Sequence, residues 1–215
     1  MQEKQAQLTP NGMYHIYNRA NGSERLFVSD ENYLFFLRQY LKYIVPIIET
    51  WCYCLMPNHF HFLLKIRSEE EIEKIIEDWR YKSSITLQGF ETLEGLAKQE
   101  AISKFLTQQF SHLFNAYAQS FNKEHSRRGS LFMHPYKRKQ VTDVKYLIKL
   151  IHYIHYNPVE AGLSGKPEDW KFSSYQAIIS DKPTMINRKE VITFFDDREN
   201  FMHCHQTPPI RSGVE

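Results

Sequence analysis

The sequence has few cysteines and lacks any long apolar run. Its three cysteines, Cys52, Cys54 and Cys204, are too few and odd in number for a disulfide framework. No apolar run approaches the roughly 18 residues that a membrane-spanning helix needs, and residues 1–12 have no apolar core of a secretory signal. We therefore expect a soluble protein of the cytoplasm, a reducing compartment.

The composition is that of a folded protein. Of the 215 residues, 42% are hydrophobic and 14% are aromatic, which excludes a disordered chain. We predict one domain over residues 1–180, with an acidic insertion at about residues 68–100. The remaining residues, 181–215, are predicted to form a partly disordered C-terminal tail.

Charge is unevenly distributed along the chain, although the net charge is only +2. Residues 68–100 carry nine acidic and four basic side chains, whereas residues 123–149 carry eight basic and two acidic ones. A basic half beside an acidic one favours a surface that binds a polyanion. Two ordinary solvated faces would give the same counts, so the pattern leaves both interpretations open.

Hydrophobic periodicity and turn residues predict alternating strands and helices. In chain order we predict a strand, a helix, a two-stranded hairpin, a helix, a short basic strand and a helix (residues 13–20, 31–44, 47–56 with 59–66, 102–125, 136–141 and 144–156). A surface helix in the acidic segment after Ser68 and a loop with a short helix at residues 166–178 are also predicted. Asp30 and Asp143 are predicted to cap two of the helices, and Pro158 to end the helix that begins at residue 144. This order favours an α+β fold, in which helices pack on one face of an antiparallel sheet.

Two histidines lie one residue apart in the stretch MPNHFHFLLKI, residues 56–66. Because side chains alternate along a strand, His59 and His61 share one face, while Phe60, Phe62 and Leu64 point to the other and can enter the core. Two imidazoles in this spacing can occupy adjacent coordination sites on one divalent cation. The alternative is a pair of structural histidines with ordinary hydrogen bonds, and the spacing alone does not decide between them.

A second cluster, His203-Cys204-His205, has the residue types of a zinc site. It lacks a partner pair of cysteine or histidine nearby in the sequence, so we disfavour zinc binding there. Cys52 and Cys54 also lack such a pair, and we interpret them as small strand residues.

The helix that is predicted to begin at residue 144 ends in the stretch HYIHYNP, residues 152–158. At about 100° per residue, one face of this helix is apolar and includes His155 as a core or boundary residue; its apolar members are Val144, Leu147, Ile148, Ile151 and Ile154. Tyr153 and Asn157 lie one turn apart on the opposite face. Each has an ordinary alternative, as a surface tyrosine and as a helix stop before proline. If this face opposes the histidine strand, three ligands and a phenol converge, an arrangement suited to metal-assisted phosphoryl transfer with tyrosine as nucleophile.

Five short motifs carry a resemblance to a known family. MPNHFHFLLKI resembles the His-hydrophobic-His (HUH) strand of single-tyrosine transposases, and YLIKLIHYIHYNPVEAGL resembles the tyrosine helix of their REP-associated subgroup. The stretches YHIYNRANGSERLF, RRGSLF and DWKFSSYQAI match further blocks of this subgroup in the same order. The resemblance covers roughly residues 13–180, which would form one HUH transposase domain.

The resemblance implies a ferredoxin-like sheet and an enzyme that cleaves single-stranded DNA with the help of Mg²⁺ or Mn²⁺. Carried over by motif position, His59 and His61 bind the metal, Asn157 matches the third ligand, and Tyr153 is the nucleophile that becomes joined to a 5′-phosphate. The implied partners are single-stranded or hairpin DNA of repeated palindromic elements, which places the protein at the nucleoid. Relatives include monomers and homodimers.

The resemblance also implies which basic residues lie near the DNA: Arg127, Arg128, Lys137, Arg138, Lys139 and Lys149. Unpaired bases could stack on Tyr136 or Tyr156. One departure is Glu160, at a position where many relatives carry a basic residue. Two alternatives remain open: a non-catalytic, domesticated DNA-hairpin-binding protein, and a metal-dependent phosphodiesterase that uses water as the nucleophile.

Overall fold

A computed structural model describes residues 5–83 and 96–210. Its strands are β1 (Met13–Arg19), β2 (Ile48–Met56), β3 (His59–Ile66) and β4 (Lys137–Gln140). Its helices are α1 (Asp30–Tyr43), α2 (Glu69–Ser83), α3 (Leu96–Glu124), α4 (Val144–Glu160), α5 (Tyr175–Ile179), α6 (Arg188–Thr193) and α7 (Arg198–Cys204). Within the described ranges, none of the helices combines the length and apolar character needed to cross a membrane.

The four strands form one antiparallel sheet in the order β2-β3-β1-β4. The two central strands are β1 and β3, whose register pairs Tyr17 with His61 and Arg19 with His59. On its other edge β1 pairs with β4, the strand predicted to be short and basic. Chain order and strand order together are ferredoxin-like, and they confirm the predicted α+β fold class.

One face of the sheet is covered by α1 and α3. Phe60, Phe62 and Leu64 of β3 are buried on this face. From α1, the ring centroids of Phe36 and Tyr40 lie 5.3 Å from Phe60 and 4.5 Å from Phe62, respectively. Because burial of each such side chain contributes roughly 1.5–3 kcal/mol, this layer holds β3 in a single register.

The opposite face of the sheet is covered by α4, whereas we predicted helices on one face only. A second core lies between this helix and the sheet, formed by Cys52, Cys54, Met56 and Leu63 of the strands with Leu147, Leu150, Ile151 and Ile154 of α4. The reason lies in β2, where seven of nine residues are buried. A strand that is apolar on both sides needs a covering layer on each.

The N-terminus of α4 is capped as predicted, because the side chain of Asp143 accepts a hydrogen bond of 2.7 Å from a backbone N–H of the first turn. Val144, which we placed in the apolar face, is 54% exposed, since it is the first residue of the helix. Pro158 does not end the helix, which continues to Glu160. Asn157 therefore lies inside the helix and is not a helix stop.

The cap of α1 differs from the prediction by one residue. Ser29 accepts a hydrogen bond of 3.3 Å from the backbone N–H of Asn32, so it is the capping residue in place of Asp30. Asp30 occupies the first turn, where a carboxylate interacts favourably with the helix dipole.

Residues 181–210, which we predicted as part of a partly disordered tail, carry α6 and α7. Val191 and Phe201 of these helices are fully buried in the second core. Residues 211–215 lie outside the described ranges, as do residues 84–95 of the predicted acidic insertion. The start of that insertion is a helix, α2.

Buried histidines connect α7 to α4. His155 Nδ1 and His205 Nε2 lie 3.3 Å apart, and His155 Nε2 lies 2.8 Å from the hydroxyl of Ser174. His205 Nδ1 donates to the carbonyl oxygen of Phe201 at 2.7 Å. All four ring nitrogens of this pair are thus hydrogen-bonded within the protein, so His205 has no ring nitrogen left for the zinc considered at the sequence His203-Cys204-His205.

These histidines make the stability of the fold dependent on pH. Burial lowers the pKa of His205 from 6.5 to about 3 and that of His155 well below its usual range. Below about pH 6.5 the unfolded chain binds protons that the folded protein does not, so acid favours unfolding. We expect the free energy of unfolding to fall as the pH drops from 6.5 towards 3, by up to about 1.4 kcal/mol per pH unit for each histidine.

Urea unfolding followed by circular dichroism between about pH 7.5 and about pH 5 measures this slope before most carboxylates titrate. The variant His205→Phe removes one ring of this pair and should reduce the slope. A free energy of unfolding that stays constant over this interval would contradict the prediction.

Candidate active site

Two adjacent strands place four ring side chains on the face of the sheet that α4 covers. His59 and His61 project from β3, and His15 and Tyr17 project from the neighbouring β1. The ring centroids of His59 and His61 lie 5.2 Å apart, with the ring planes at 90°. The shared face of His59 and His61 follows the strand alternation that the sequence predicted.

His61 lies at the centre of this group. Its ring centroid is 5.1 Å from that of His15, 5.7 Å from that of Tyr17 and 5.5 Å from that of Tyr153. Its Nδ1 lies 2.9 Å from His15 Nε2, whereas its Nε2 is buried and has no hydrogen-bond partner among the described residues. Burial is the largest cause that lowers its pKa well below the usual range, so the ring is neutral.

His59 lies closer to the solvent than His61. Its Nδ1 lies 2.7 Å from Asn58 Oδ1, an oxygen that can only accept, so this nitrogen carries the hydrogen. Its ring also makes a hydrogen bond with the side chain of Asn157. Burial lowers the pKa of His59, the bond with Asn157 opposes that shift, and the positive charge of Arg19 adds to it.

The helix α4 brings Tyr153 and Asn157 to the histidines. Both side chains are more than nine-tenths buried, at 8% and 7% exposure. The ring of Tyr153 meets that of His61 edge to face, at an interplanar angle of 80°. The amide nitrogen of Asn157 donates to the backbone carbonyl of Tyr153 at 2.9 Å, which leaves the amide oxygen for other partners. The polar face of α4 therefore opposes the histidine face of β3, which was the condition for a shared site.

These side chains fit the metal that the resemblance implies. The Nε2 of His61 is buried and has no hydrogen-bond partner among the described residues. It carries either a lone pair or a hydrogen, and leaving either one buried without a partner costs free energy. Two imidazole nitrogens and an amide oxygen form a neutral donor set that suits Mg²⁺ or Mn²⁺ and leaves coordination positions for phosphate oxygens and water. Within the described residues no group of three or more His, Cys, Asp or Glu side chains could hold a metal ion. The roles of His59, His61, Asn157 and Tyr153 stay predictions.

The strand β4 divides the predicted basic run between the two faces of the sheet. Its register with β1 places Lys137 and Lys139 on the site face. Arg138 points to the other face, where its guanidinium donates to the hydroxyls of Thr107 and Tyr136 at 3.0 Å each. This position separates Arg138 from the site. Tyr136 is also buried, in the core under α3, so it does not offer the exposed ring that we expected for base stacking.

The other basic residues predicted to contact DNA differ in exposure and in their hydrogen bonds within the protein. Arg127 donates to the carboxylate of Glu24 and, at 2.9 Å, to the carbonyl oxygen of Ser130, so its guanidinium ties the basic turn to the loop after β1. The neighbouring Arg128 is exposed, and Lys149 is half-buried on α4. Arg128 is therefore the better candidate for a phosphate contact at this turn.

Several residues of the site were not found by sequence reasoning. His15 and Tyr17 lie two apart in β1, so strand alternation puts them on one face, but their pairing with His61 depends on the sheet register. Asn58, in the turn between β2 and β3, forms a hydrogen bond with His59. Arg19 lies opposite His59 and adds a positive charge at the exposed end of the site.

Comparisons with known proteins were made for the sequence and for the structure. No protein-family model matches the chain. A curated relative from Haemophilus influenzae, named as a REP-associated tyrosine transposase, is 23% identical over 129 residues. The match covers 59% of this chain, and the chain spans only 58% of the relative's length.

A solved structure gives the second comparison. It is the structure of a REP-associated tyrosine transposase bound to a REP hairpin, and it matches with a TM-score of 0.54 at 11% sequence identity. The match covers 85% of this chain and 88% of that chain. The two comparisons confirm the resemblance of this protein to the REP-associated tyrosine transposases, and the structural match shows that it has their fold.

Proposed function

We propose that the protein is a metal-dependent endonuclease and strand transferase for single-stranded DNA, acting near DNA hairpins through a 5′-phosphotyrosine intermediate. The observation that carries this proposal is the convergence of Tyr153 and Asn157 of α4 on His59 and His61 of β3. The hairpin bound by the structurally similar transposase supports hairpin DNA as the substrate class.

In the proposed reaction the phenol oxygen of Tyr153 attacks a DNA phosphate. A bond forms between this oxygen and phosphorus while the bond from phosphorus to the 3′-oxygen breaks. The phenol loses its proton, and the leaving 3′-oxygen gains one, so a 3′-hydroxyl is released and the downstream strand stays attached through its 5′-phosphate. Because the phosphodiester energy is kept in the protein linkage, the reverse step can join strands without ATP.

The ligands of the site would hold the phosphate in place for this attack. A bound Mg²⁺ or Mn²⁺ would supply positive charge that polarises the scissile phosphate. His59, His61 and Asn157 would hold that ion beside Tyr153, since His59 bonds Asn157 and His61 contacts the tyrosine ring. The sheet and α4 bury three of these four side chains to below 9% exposure, which limits water as a competing nucleophile.

Positive charge beside the site would attract the DNA backbone. Lys137, Lys139 and Arg19 all lie on the site face of the sheet. Lys139 is close enough to His15 to lower the pKa of that ring, although burial is the larger cause. A phosphate chain that crosses β4 and β1 would therefore pass over cations before it reaches the metal ligands.

We expect Tyr153→Phe to abolish the covalent product because the phenyl ring keeps the packing but lacks the attacking oxygen. A 3′-labelled hairpin oligonucleotide with Mn²⁺, separated on a denaturing gel, should give a protein-linked band with the wild type. The rate of cleavage should fall by more than about 10³-fold in the variant, with hairpin binding unchanged. Tyr43→Phe, on α1 and on the other side of the sheet, is the control and should cleave normally.

The outcomes of this experiment separate the candidate functions. Cleavage that survives in Tyr153→Phe would contradict the tyrosine assignment and favour water as the nucleophile. Hairpin binding by the wild type without any cleavage would favour the non-catalytic binding protein.

We expect His59→Ala and His61→Ala to lose cleavage by at least about 10²-fold, because loss of a direct ligand should cost more than the 10–100-fold typical of outer partners. Cleavage assays over a range of Mn²⁺ concentrations measure the effect, and excess Mn²⁺ should restore part of the activity. His112→Ala, on α3 and on the other side of the sheet, is the control. Equal Mn²⁺ dependence in wild type and variants would contradict the metal assignment.

We expect the double variant Lys137→Gln/Lys139→Gln to weaken hairpin binding and to reduce its salt dependence. Each lost phosphate contact on a single strand should lower the slope of log K against log salt by about 0.7. Fluorescence anisotropy at several salt concentrations gives this slope. Lys42→Gln, which removes an exposed lysine from α1, should leave it unchanged; the same slope in all three proteins would place the DNA elsewhere.

A further inference from the structure

A third buried histidine, His15, contacts the predicted metal ligand His61. The two residues are far apart in the chain and meet because β1 pairs with β3. Their exposures are only 2% and 6%, and His15 Nε2 lies 2.9 Å from His61 Nδ1. This contact is a buried hydrogen bond between two side chains.

Only one of the two nitrogens can carry the hydrogen of this bond. If His15 donated, the single ring hydrogen of neutral His61 would lie on its Nε2, and that nitrogen would offer no lone pair to the site. If His61 donates from Nδ1, its Nε2 carries no hydrogen and has a lone pair available. The position of one hydrogen therefore decides whether His61 can bind a cation.

The neighbouring His59 gives an example of the arrangement in which Nδ1 donates. His59 also makes its partner contact through Nδ1, and Asn58 Oδ1 at 2.7 Å can only accept a hydrogen. Neutral His59 therefore carries no hydrogen on Nε2. His61 likewise makes a hydrogen bond through Nδ1, and its buried Nε2 has no partner among the described residues.

We propose that His15 is a positioning residue that accepts a hydrogen bond from His61 Nδ1 and so presents the Nε2 lone pair of His61 to a divalent cation. Metal-binding histidines usually donate their second ring N–H to a carboxylate, a carbonyl or water, and here a second imidazole has that role. The ring of Tyr17 stacks on His15 with centroids 4.5 Å apart and fixes its orientation. This inference rests on the proposed function, since it assumes a cation at His59 and His61.

Two substitutions separate the hydrogen bond from the packing. His15→Phe fills the same space without an acceptor, whereas His15→Gln keeps an acceptor oxygen at a similar reach. We expect Mn²⁺ affinity, measured from the electron paramagnetic resonance signal of free Mn²⁺, to fall by about 10–100-fold in His15→Phe. His15→Gln should recover much of the loss, and His112→Phe, a histidine on the other side of the sheet, should bind as the wild type does.

A spectroscopic measurement on the wild type tests the hydrogen position directly and does not depend on how the variants fold. In ¹⁵N-labelled protein loaded with Mg²⁺, long-range ¹H–¹⁵N correlations of the His61 ring should show its hydrogen on Nδ1. A hydrogen on Nε2 would overturn the inference.

The failure of this inference and that of the proposed function give different results. If Mn²⁺ binding is lost in His59→Ala and His61→Ala but is normal in His15→Phe, the role of His15 is wrong and the metal site stands. If neither His59→Ala nor His61→Ala changes Mn²⁺ binding, the metal site itself is wrong, and the role of His15 falls with it.

Discussion

The antiparallel pairing of β3 with β1 is the constraint on which the candidate site depends. It places the buried Phe60 and Phe62 under α1 and α3, and this burial forces His59 and His61 onto the other face. A shift of one residue would move both phenylalanines out of the core, so the energy of the aromatic layer also maintains the geometry of the histidines. The same register brings His15 within hydrogen-bond distance of His61. The packing of aromatic side chains on one face of the sheet thus maintains the arrangement of the histidines on the other face.

The second requirement is the apolar contact between α4 and β2. Leu150, Ile151 and Ile154 are fully buried against the sheet, which leaves one rotational setting for the helix. In that setting Tyr153 lies over His61, and the extra turn beyond Asn157 keeps its amide inside a regular helix. The helices α6 and α7 add Val191 and Phe201 to this core, and Phe201 packs against His155 of α4. The position of the tyrosine therefore depends on two packed layers and on the C-terminal segment.

Burial and charge act on different parts of the site. The imidazoles are buried, which lowers their pKa values and favours the neutral form that the proposed metal binding requires. The cations lie at the rim, on β4 and at the end of β1, where they stay hydrated and can meet phosphates. Arg138 and Arg127 show that a basic residue in the sequence can instead serve the fold, through hydrogen bonds with Thr107 and Glu24.

Local patterns were sufficient to predict the α+β class, the shared face of His59 and His61, and the pairing of Tyr153 with Asn157 on α4, because strand alternation and helical periodicity are properties of neighbouring residues. They did not predict the helix on the second face, the burial of Tyr136 or the contact of His15 with His61. Each of these depends on which elements pack together, and residues far apart in the chain determine that. Alternation and periodicity along the chain already assign each side chain to a face. Which faces meet depends on tertiary packing, because the burial of two apolar cores selects the partners.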